Sequence, residues 1–456
     1  MKGNIEAALR SSKADFTEIR LEEREGTTVS YRGADLENAG ATIDAGGIVR
    51  CMCKDGGWGA VTFNDRDDLV AKVEQAYHCA KVVQAGEPIE LAPIPVREER
   101  LTATLAHDFR GVSLAEKKAL VEDYNAILRG HSEKIVDTMV TYRDLFSRVH
   151  FANSEGMWIE EERPEVGLVL TAIARDGASV EQSYEGCAAQ QGFEFVQNLQ
   201  ALAQKVAGRA VGLLSAETVA GGQYPVVINP MLGGVFIHEA FGHLSESDFI
   251  YENPKAREMM VLGRRFGQDF LNVFDDGALP GLRGTHKYDD EGTPTRRNDL
   301  IKNGILVGRL HSRETAAKMG ERPTGNARAI TYRHAPIVRM TNTAIENGTI
   351  SFADMIKDIK LGIYACDTYG GNTELESFSF SAGYAHMIRD GQIAEMVKDV
   401  ILAGNLFTTL RNIDAIGDDF QWIQAAGGCG KGGQGPLPVA FGAPHVRIQD
   451  VVTGGR

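Results

Sequence analysis

The stretch 224–248, YPVVINPMLGGVFIHEAFGHLSESD, carries two imidazoles and a carboxylate in close order: His238, Glu239 and His243. A hydrolytic zinc site is made from such groups. It needs neutral imidazole or thiolate ligands, a coordination position left for water, and a carboxylate to take that water's proton. The familiar zinc-protease helix reads HExxH, which sets both histidines on one face. Here one more residue separates them. At about 100° per residue, an offset of five puts the rings roughly 140° apart on a regular α-helix, too far to share an ion. A single π-type turn restores a common face, and such turns concentrate at functional sites. The spacing therefore predicts either coincidence or a helix widened between 238 and 243, with Gly242 as the point where it yields.

A third ligand is required. By residue type the candidates are Glu246, Asp248, His286, His311, His386 and Cys429. Glu246, three residues after His243, suits equally a partner that orients an imidazole. Cys429 lies in AAGGCGKGGQGP, where dense glycine lets backbone approach closely and leaves almost no apolar surface for a thiol to pack against. The same loop is a poor phosphate cradle, because Gly430-Lys431 lacks the following Ser or Thr of a P-loop. Lys431 suits a peptide carboxylate or plain solvent. His286, Tyr288, Tyr384, His386 and Arg339 are able to bind an oxyanion, but a satisfied structural role is the favoured reading for each.

These residues need elements to position them. Residues 225–228 read as a buried strand, followed by Asn229 as N-cap and Pro230 at the first helical position. Upstream, residues 16–23 and 27–31 read as strands around a turn at 24–26, and 41–54 is strand-rich. Helical spacing marks 69–83, 114–128 behind Ser113 as N-cap, and 195–214; further strands fall at 135–142, 148–152 and 166–174. The small, polar stretch 215–224 separates an N-terminal domain, 1–220, from a C-terminal domain, 221–456. In the second half, Asn303-Gly304, Asn347-Gly348 and Asp390-Gly391 predict hairpins. Strands are expected at 301–310, 337–342, 376–388 and 446–452, with helices at 352–360 and 394–412. The fold class is α+β: a mixed α/β N-terminal domain, then a largely antiparallel β domain carrying the metal-site helix.

At 456 residues the chain exceeds what one core supports, which also argues for two domains. A net charge of −14 repels phosphate backbones and argues against a nucleic-acid partner. No apolar run of about 18 residues is present, so no membrane span is expected. The charged first residues lack the apolar core of a secretory signal, which points to a cytoplasmic protein. The six cysteines form no CxxC pair, so a zinc ribbon is excluded and reduced thiols are expected.

HEAFGHLSESD, the glycine-rich loop around Cys429, DEGTP at 290–294, TGNA at 324–327 and RMTNT at 339–343 together resemble the TldD/PmbA family of metallopeptidases, over nearly the whole chain. The resemblance implies one zinc per subunit held by His238, His243 and Cys429, with Glu239 activating water. It implies the motif-bearing, catalytic TldD type, acting on unfolded or modified peptides. It further implies a dimer, either a homodimer or a heterodimer with a PmbA/TldE-like paralogue. Two rival readings remain at this level: a non-catalytic metal-binding or regulatory subunit, and a metal-dependent hydrolase of small amides.

Overall fold

The computed structural model describes residues 1–83 and 87–454. Its N-terminal part is one sheet of seven strands: β1 (Phe16–Arg32), β2 (Asp35–Met52), β3 (Trp58–Phe63), β4 (Glu98–Leu101), β5 (Ile135–Asn153), β6 (Trp158–Asp176) and β7 (Ser179–Ala189). The order is β3-β2-β1-β5-β6-β4, with β7 also on β6. The expected turn at 24–26 is absent. β1 runs through it, with Gly26 facing Thr42 on one side and Leu145 on the other. A Cβ at Gly26 would stand 2.6 Å from the Asp144 carbonyl oxygen, so glycine here serves strand approach, not reversal. The stretches 135–142 and 148–152 likewise belong to one strand, β5. Asp144 does not interrupt it, because its carboxylate is neutralised inside by Lys117 at 2.5 Å and accepts from Tyr142 Oη at 2.6 Å.

Two helix pairs cover the sheet. α1 (Lys2–Ser11) and α2 (Leu69–Val82) set Ile5, Ala8, Val73 and Ala76 against Ile19, Leu21 and Val49. α3 (Leu114–Gly130) begins at a reciprocal Ser113–Glu116 capping box. With α4 (Gln200–Leu213) it sets Val121, Tyr124, Val206 and Ala210 against Val140, Tyr142 and Leu168. The helix expected from 195 starts only at Gln200, because Asn198 takes φ 59° and separates it from a short 3-10 turn.

The second half holds two larger sheets. The ten-stranded one runs Gly370–Glu374, Ser377–Ser381, Ile401–Asn405, Val446–Gly454, β9 (Gly222–Ile228), Leu361–Cys366, Tyr384–Arg389, Gln392–Lys398 and β8 (Glu217–Thr218), with Ile413–Ile416 also on Val446–Gly454. The six-stranded one runs Ile305–Leu306, Arg297–Lys302, Val273–Asp276, Asn342–Ile345, Ala440–Ala443 and Gln421–Ile423. Pairing is antiparallel except at β9 with Leu361–Cys366, β8 with Gln392–Lys398, and Asn342–Ile345 with Ala440–Ala443. Asn303-Gly304 and Asp390-Gly391 close hairpins with all four residues at positive φ. Asn347-Gly348 does not. It leads the chain out of Asn342–Ile345, with Gly348 N–H donating to the Gly417 carbonyl at 2.7 Å. The helix expected over 394–412 is instead two strands and a short helix, Leu406–Arg411, capped by Asn405. Its apolar residues fit either period, and Asp399 at φ 57° breaks the chain between two strands that pair with different neighbours. Only Phe352–Ile356 of 352–360 is helical.

Candidate metal centre

β9 delivers the chain to α5 (Pro230–Ile237). Asn229 caps it, accepting from Leu232 N–H at 2.9 Å, and Pro230 fills the first turn. α5 is gripped by both sheets. Phe236 packs edge-on against Phe378 and Phe380 of the larger one, ring centroids 5.6 and 5.9 Å away. Gly234 lies so close to the smaller one that a Cβ would stand 2.6 Å from Phe441.

Beyond Ile237 the helix widens. His238–Gly242 forms one π-turn, and His243 N–H donates to the His238 carbonyl five residues back. The two rings meet edge to face, 5.4 Å apart. Of the two outcomes that the spacing left open, this is the widened helix. Gly242 has a second reason to be glycine: a Cβ there would overlap Met340 Sδ, at 2.0 Å.

Among the third-ligand candidates, Cys429 alone reaches the rings. Ligand atoms of His238, His243 and Cys429 lie within 4.8 Å of one another, and Cys429 Sγ is 3.2 Å from His243 Nε2. Glu246 orients instead, with Oε2 3.0 Å from His243 Nδ1, which leaves Nε2 turned to the sulfur. Asp248 accepts from Lys431 Nζ at 2.6 Å and from Val338 N–H at 3.1 Å. The other histidines lie elsewhere. His311 meets Ser247, Thr315 and Glu321; His286 sits beside Arg328; His386 faces the Ala394 carbonyl. Tyr288 packs with Phe151 and Met157, and Tyr384 stacks under Arg209.

Lys431 is neither a solvated side chain nor free for a peptide. It bridges Glu246 and Asp248, at 3.0 and 2.6 Å. Arg339 is fully buried and donates to the carbonyls of Cys429, at 2.6 Å, and Gln434, at 3.1 Å. Arg283, which sequence reasoning passed over, holds the start of the same loop by the carbonyls of Ala425, at 2.8 Å, and Gly427. Asp275 was passed over too. Buried, it accepts from Asn326, Thr341 and Thr343 and so ties TGNA to RMTNT. A lone arginine or aspartate far from its partners in sequence gives no local signal.

The electrostatics are strained toward a cation. Burial pushes the Cys429 thiol up, but His238 and then His243 draw it down to about 4. Burial works against a charged His243, yet Glu246 and Cys429 lift it to about 11. His238 is raised as well, burial being outweighed by Cys429. Glu246 is lowered, since Lys431 and His243 outweigh its burial. Protons thus gather where anionic donors converge, and a divalent ion would displace them. The residues fit such an ion. Two imidazoles and a thiolate are a zinc donor set, and the buried Nδ1 of His238 has no hydrogen-bond partner. Glu239 stands at the rim, Oε2 3.6 Å from His243 Nε2, its side chain one-third exposed.

The sequence models of the PmbA/TldA metallopeptidase domain 1, central domain and C-terminal domain match residues 17–80, 107–214 and 221–455. A metalloprotease of Synechocystis is 50% identical over 97% of this chain and 96% of its own length. A metalloprotease of Methanocaldococcus jannaschii is 34% identical over 95% and 96%. A zinc metalloprotease TldD homolog of Saccharolobus solfataricus is 31% identical over 69% and 70%. Two solved structures share the fold: a candidate modulator of a DNA gyrase from Thermotoga maritima and TldE from Thermococcus kodakarensis. Their TM-scores are 0.81 and 0.79, at 22% and 18% identity, over 99% and 100% of this chain and the whole of each neighbour. With domain matches running along the chain and a half-identical metalloprotease covering nearly all of it, the protein belongs to the PmbA/TldD metallopeptidase family.

Proposed function

We propose that the protein is a zinc-dependent peptidase of unfolded or unstructured peptides, with one zinc held by His238, His243 and Cys429 and with Glu239 as the base. The observation that carries this reading is the π-turn, which turns two rings five residues apart toward a thiol from a distant loop. His238, His243 and Cys429 would hold the zinc, whose positive charge would polarise a water and the scissile carbonyl. Glu239 takes the proton of the attacking water and returns it to the leaving amine. Glu246 keeps His243 in the tautomer whose Nε2 faces the centre, and Lys431 holds Glu246 ionised. The hairpin Cys429–Lys431 with Gln434–Leu437 forms a sheet of two strands only, among the described residues. An extended peptide adding to its edge would lie beside the tripod, read through its backbone, which suits unfolded substrates of varied sequence.

The reading extends to the assembly and the chain's division. Residues 221–456 carry the catalysis, and residues 1–220 enclose the substrate in a dimer, homo or with a TldE-like partner, in the cytoplasm. Among the described residues, no helix is long and apolar enough to cross a membrane. The decisive experiment is Glu239→Gln with an unfolded peptide library and zinc analysis. The variant keeps zinc and loses cleavage; cleavage that persists removes Glu239 from the mechanism. Turnover of small amides but not of peptides by the unsubstituted protein would point to a small-amide hydrolase instead.

A further inference from the structure

A cleft of about 390 Å³ lies between the strands β1, β5 and β6 and the loop that carries Cys429. Its far wall includes Pro436, Leu437 and Pro438, and Leu437 is the residue paired with Cys429 across the hairpin. Six arginines line it: Arg20, Arg24, Arg143, Arg163, Arg283 and Arg328. Only three carboxylates do, Glu22, Glu165 and Asp290. The imbalance reaches the level of single atoms. Arg20 and Arg283 are about nineteen-twentieths buried, at 4% and 5% exposure, yet Arg20 Nε and Arg283 Nε have no hydrogen-bond partner and Arg20 Nη1 has only the Asp290 carboxylate at 3.5 Å. Arg24 Nε has no hydrogen bond and only the Glu22 carboxylate at 3.6 Å. Arg328, equally buried, donates to the carbonyls of Met340 and Pro438 and to His286 Nε2. It has no carboxylate within 4.0 Å among the described residues. Burial pulls its guanidinium down to about 10, with Asp290 restoring part and Arg339 opposing. His286, half-buried beside Arg328, is held neutral by desolvation first and then by the charges of Arg163 and Arg328. Buried donors without acceptors are costly, and an anion that fits removes that cost.

We propose that this cleft binds a carboxylate of the peptide whose backbone lies at the metal centre, and so selects substrates bearing an acidic group a short distance from the cut. Arginine forks match carboxylates bidentately, which a lysine-lined surface would not do. The apolar part of the wall, Leu145, Val169 and Leu437 with the two prolines, receives the aliphatic stem that carries the acid. The carboxylate comes either from the peptide's C-terminus or from an Asp or Glu side chain. The inference rests on the peptidase reading, but its test does not use turnover.

The test measures fluorescence anisotropy of labelled unstructured peptides on zinc-loaded full-length Glu239→Gln protein. Four peptides combine a C-terminal acid or amide with an internal Glu or Gln. At least one acidic form is expected to bind about tenfold more tightly than the doubly neutral peptide, a difference that shrinks with salt. Which acid matters names the source. Arg24→Met with Arg143→Met, added to Glu239→Gln, is expected to reduce the preference to twofold or less at an unchanged melting temperature. If the double substitution fails to fold, Arg143→Met alone, at an exposed side chain, is read instead and should at least halve the preference. Equal binding of all four peptides overturns the proposal, as does a preference that survives the substitutions in folded protein. Neither outcome touches the peptidase reading, which stands or falls on cleavage by the unsubstituted protein.

Discussion

At Asp289, Asp290 and Glu291 every carboxylate oxygen has a donor; at His238 a buried ring nitrogen has none. Asp289 accepts from the N–H groups of Glu291, Thr293 and Ala327. Asp290 accepts from Arg163 and from Ala329 N–H, with Arg20 at 3.5 Å. Glu291 accepts from Arg50 and from Arg313 N–H. Since Arg20, Arg50 and Arg163 stand on β1, β2 and β6, this acidic turn fastens the second half of the chain to the N-terminal sheet. The metal centre, by contrast, leaves His238 Nδ1 and Glu246 Oε1 unmet. Both regions bury charge. One is closed upon itself and holds the molecule together, while the other is held open to an ion by its surroundings.

Four experiments break or sharpen that contrast. Cys429→Ala should weaken zinc binding by on the order of a thousandfold, because structural zinc sites share about 10–16 kcal/mol over four ligands. Metal analysis after dialysis against a weak chelator reads it, and retained zinc would remove Cys429 from the tripod. Arg50→Met should act in the opposite sense, leaving zinc content per folded molecule unchanged but destabilising the fold by about 3–5 kcal/mol. It strands Glu18 and Glu291 without their shared cation. Denaturant unfolding measures this, and an unchanged midpoint would refute the fastening role. Glu246→Gln should cost about 10–100-fold in zinc affinity, because the orienting carboxylate is lost while shape is kept. The last experiment varies pH. His243 is held up at about 11 in the metal-free protein, so it carries a proton at neutrality that zinc must expel. Zinc affinity should therefore rise with pH, by about tenfold per unit for each proton released, and chelator competition at pH 6, 7 and 8 reads the slope. A flat slope would mean that the rings are already neutral before the metal arrives.

The contrast also explains what was legible in the sequence. The helix carrying His238 and His243 could be read because its signals are local: Asn229-Pro230 start it, and the odd spacing of the two histidines left a widened turn as the one alternative to coincidence. Cys429 was one of six candidates by residue type, singled out only by the family resemblance, because its approach to His243 is a contact between segments far apart in sequence. The acidic turn was visible as a string of carboxylates, but its fastening role was not, since Arg20, Arg50 and Arg163 are distant in sequence and unremarkable singly. Long strands defeated local reading for a related reason. Gly26 and Asp144 look like breaks until β1, β2 and β5 are side by side and the polar groups find partners across the sheet. The helix expected at 394–412 failed because apolar spacing there suits either period, and only the neighbouring strands decide.

The loop of Cys429 is pinned at its backbone by Arg283 from one end and Arg339 from the other, through carbonyls and not side chains. Its sulfur is therefore stationed before any metal arrives. Small zinc modules collapse when a chelator strips them. On the zinc reading proposed above, the protein should release and recapture the ion with the scaffold standing.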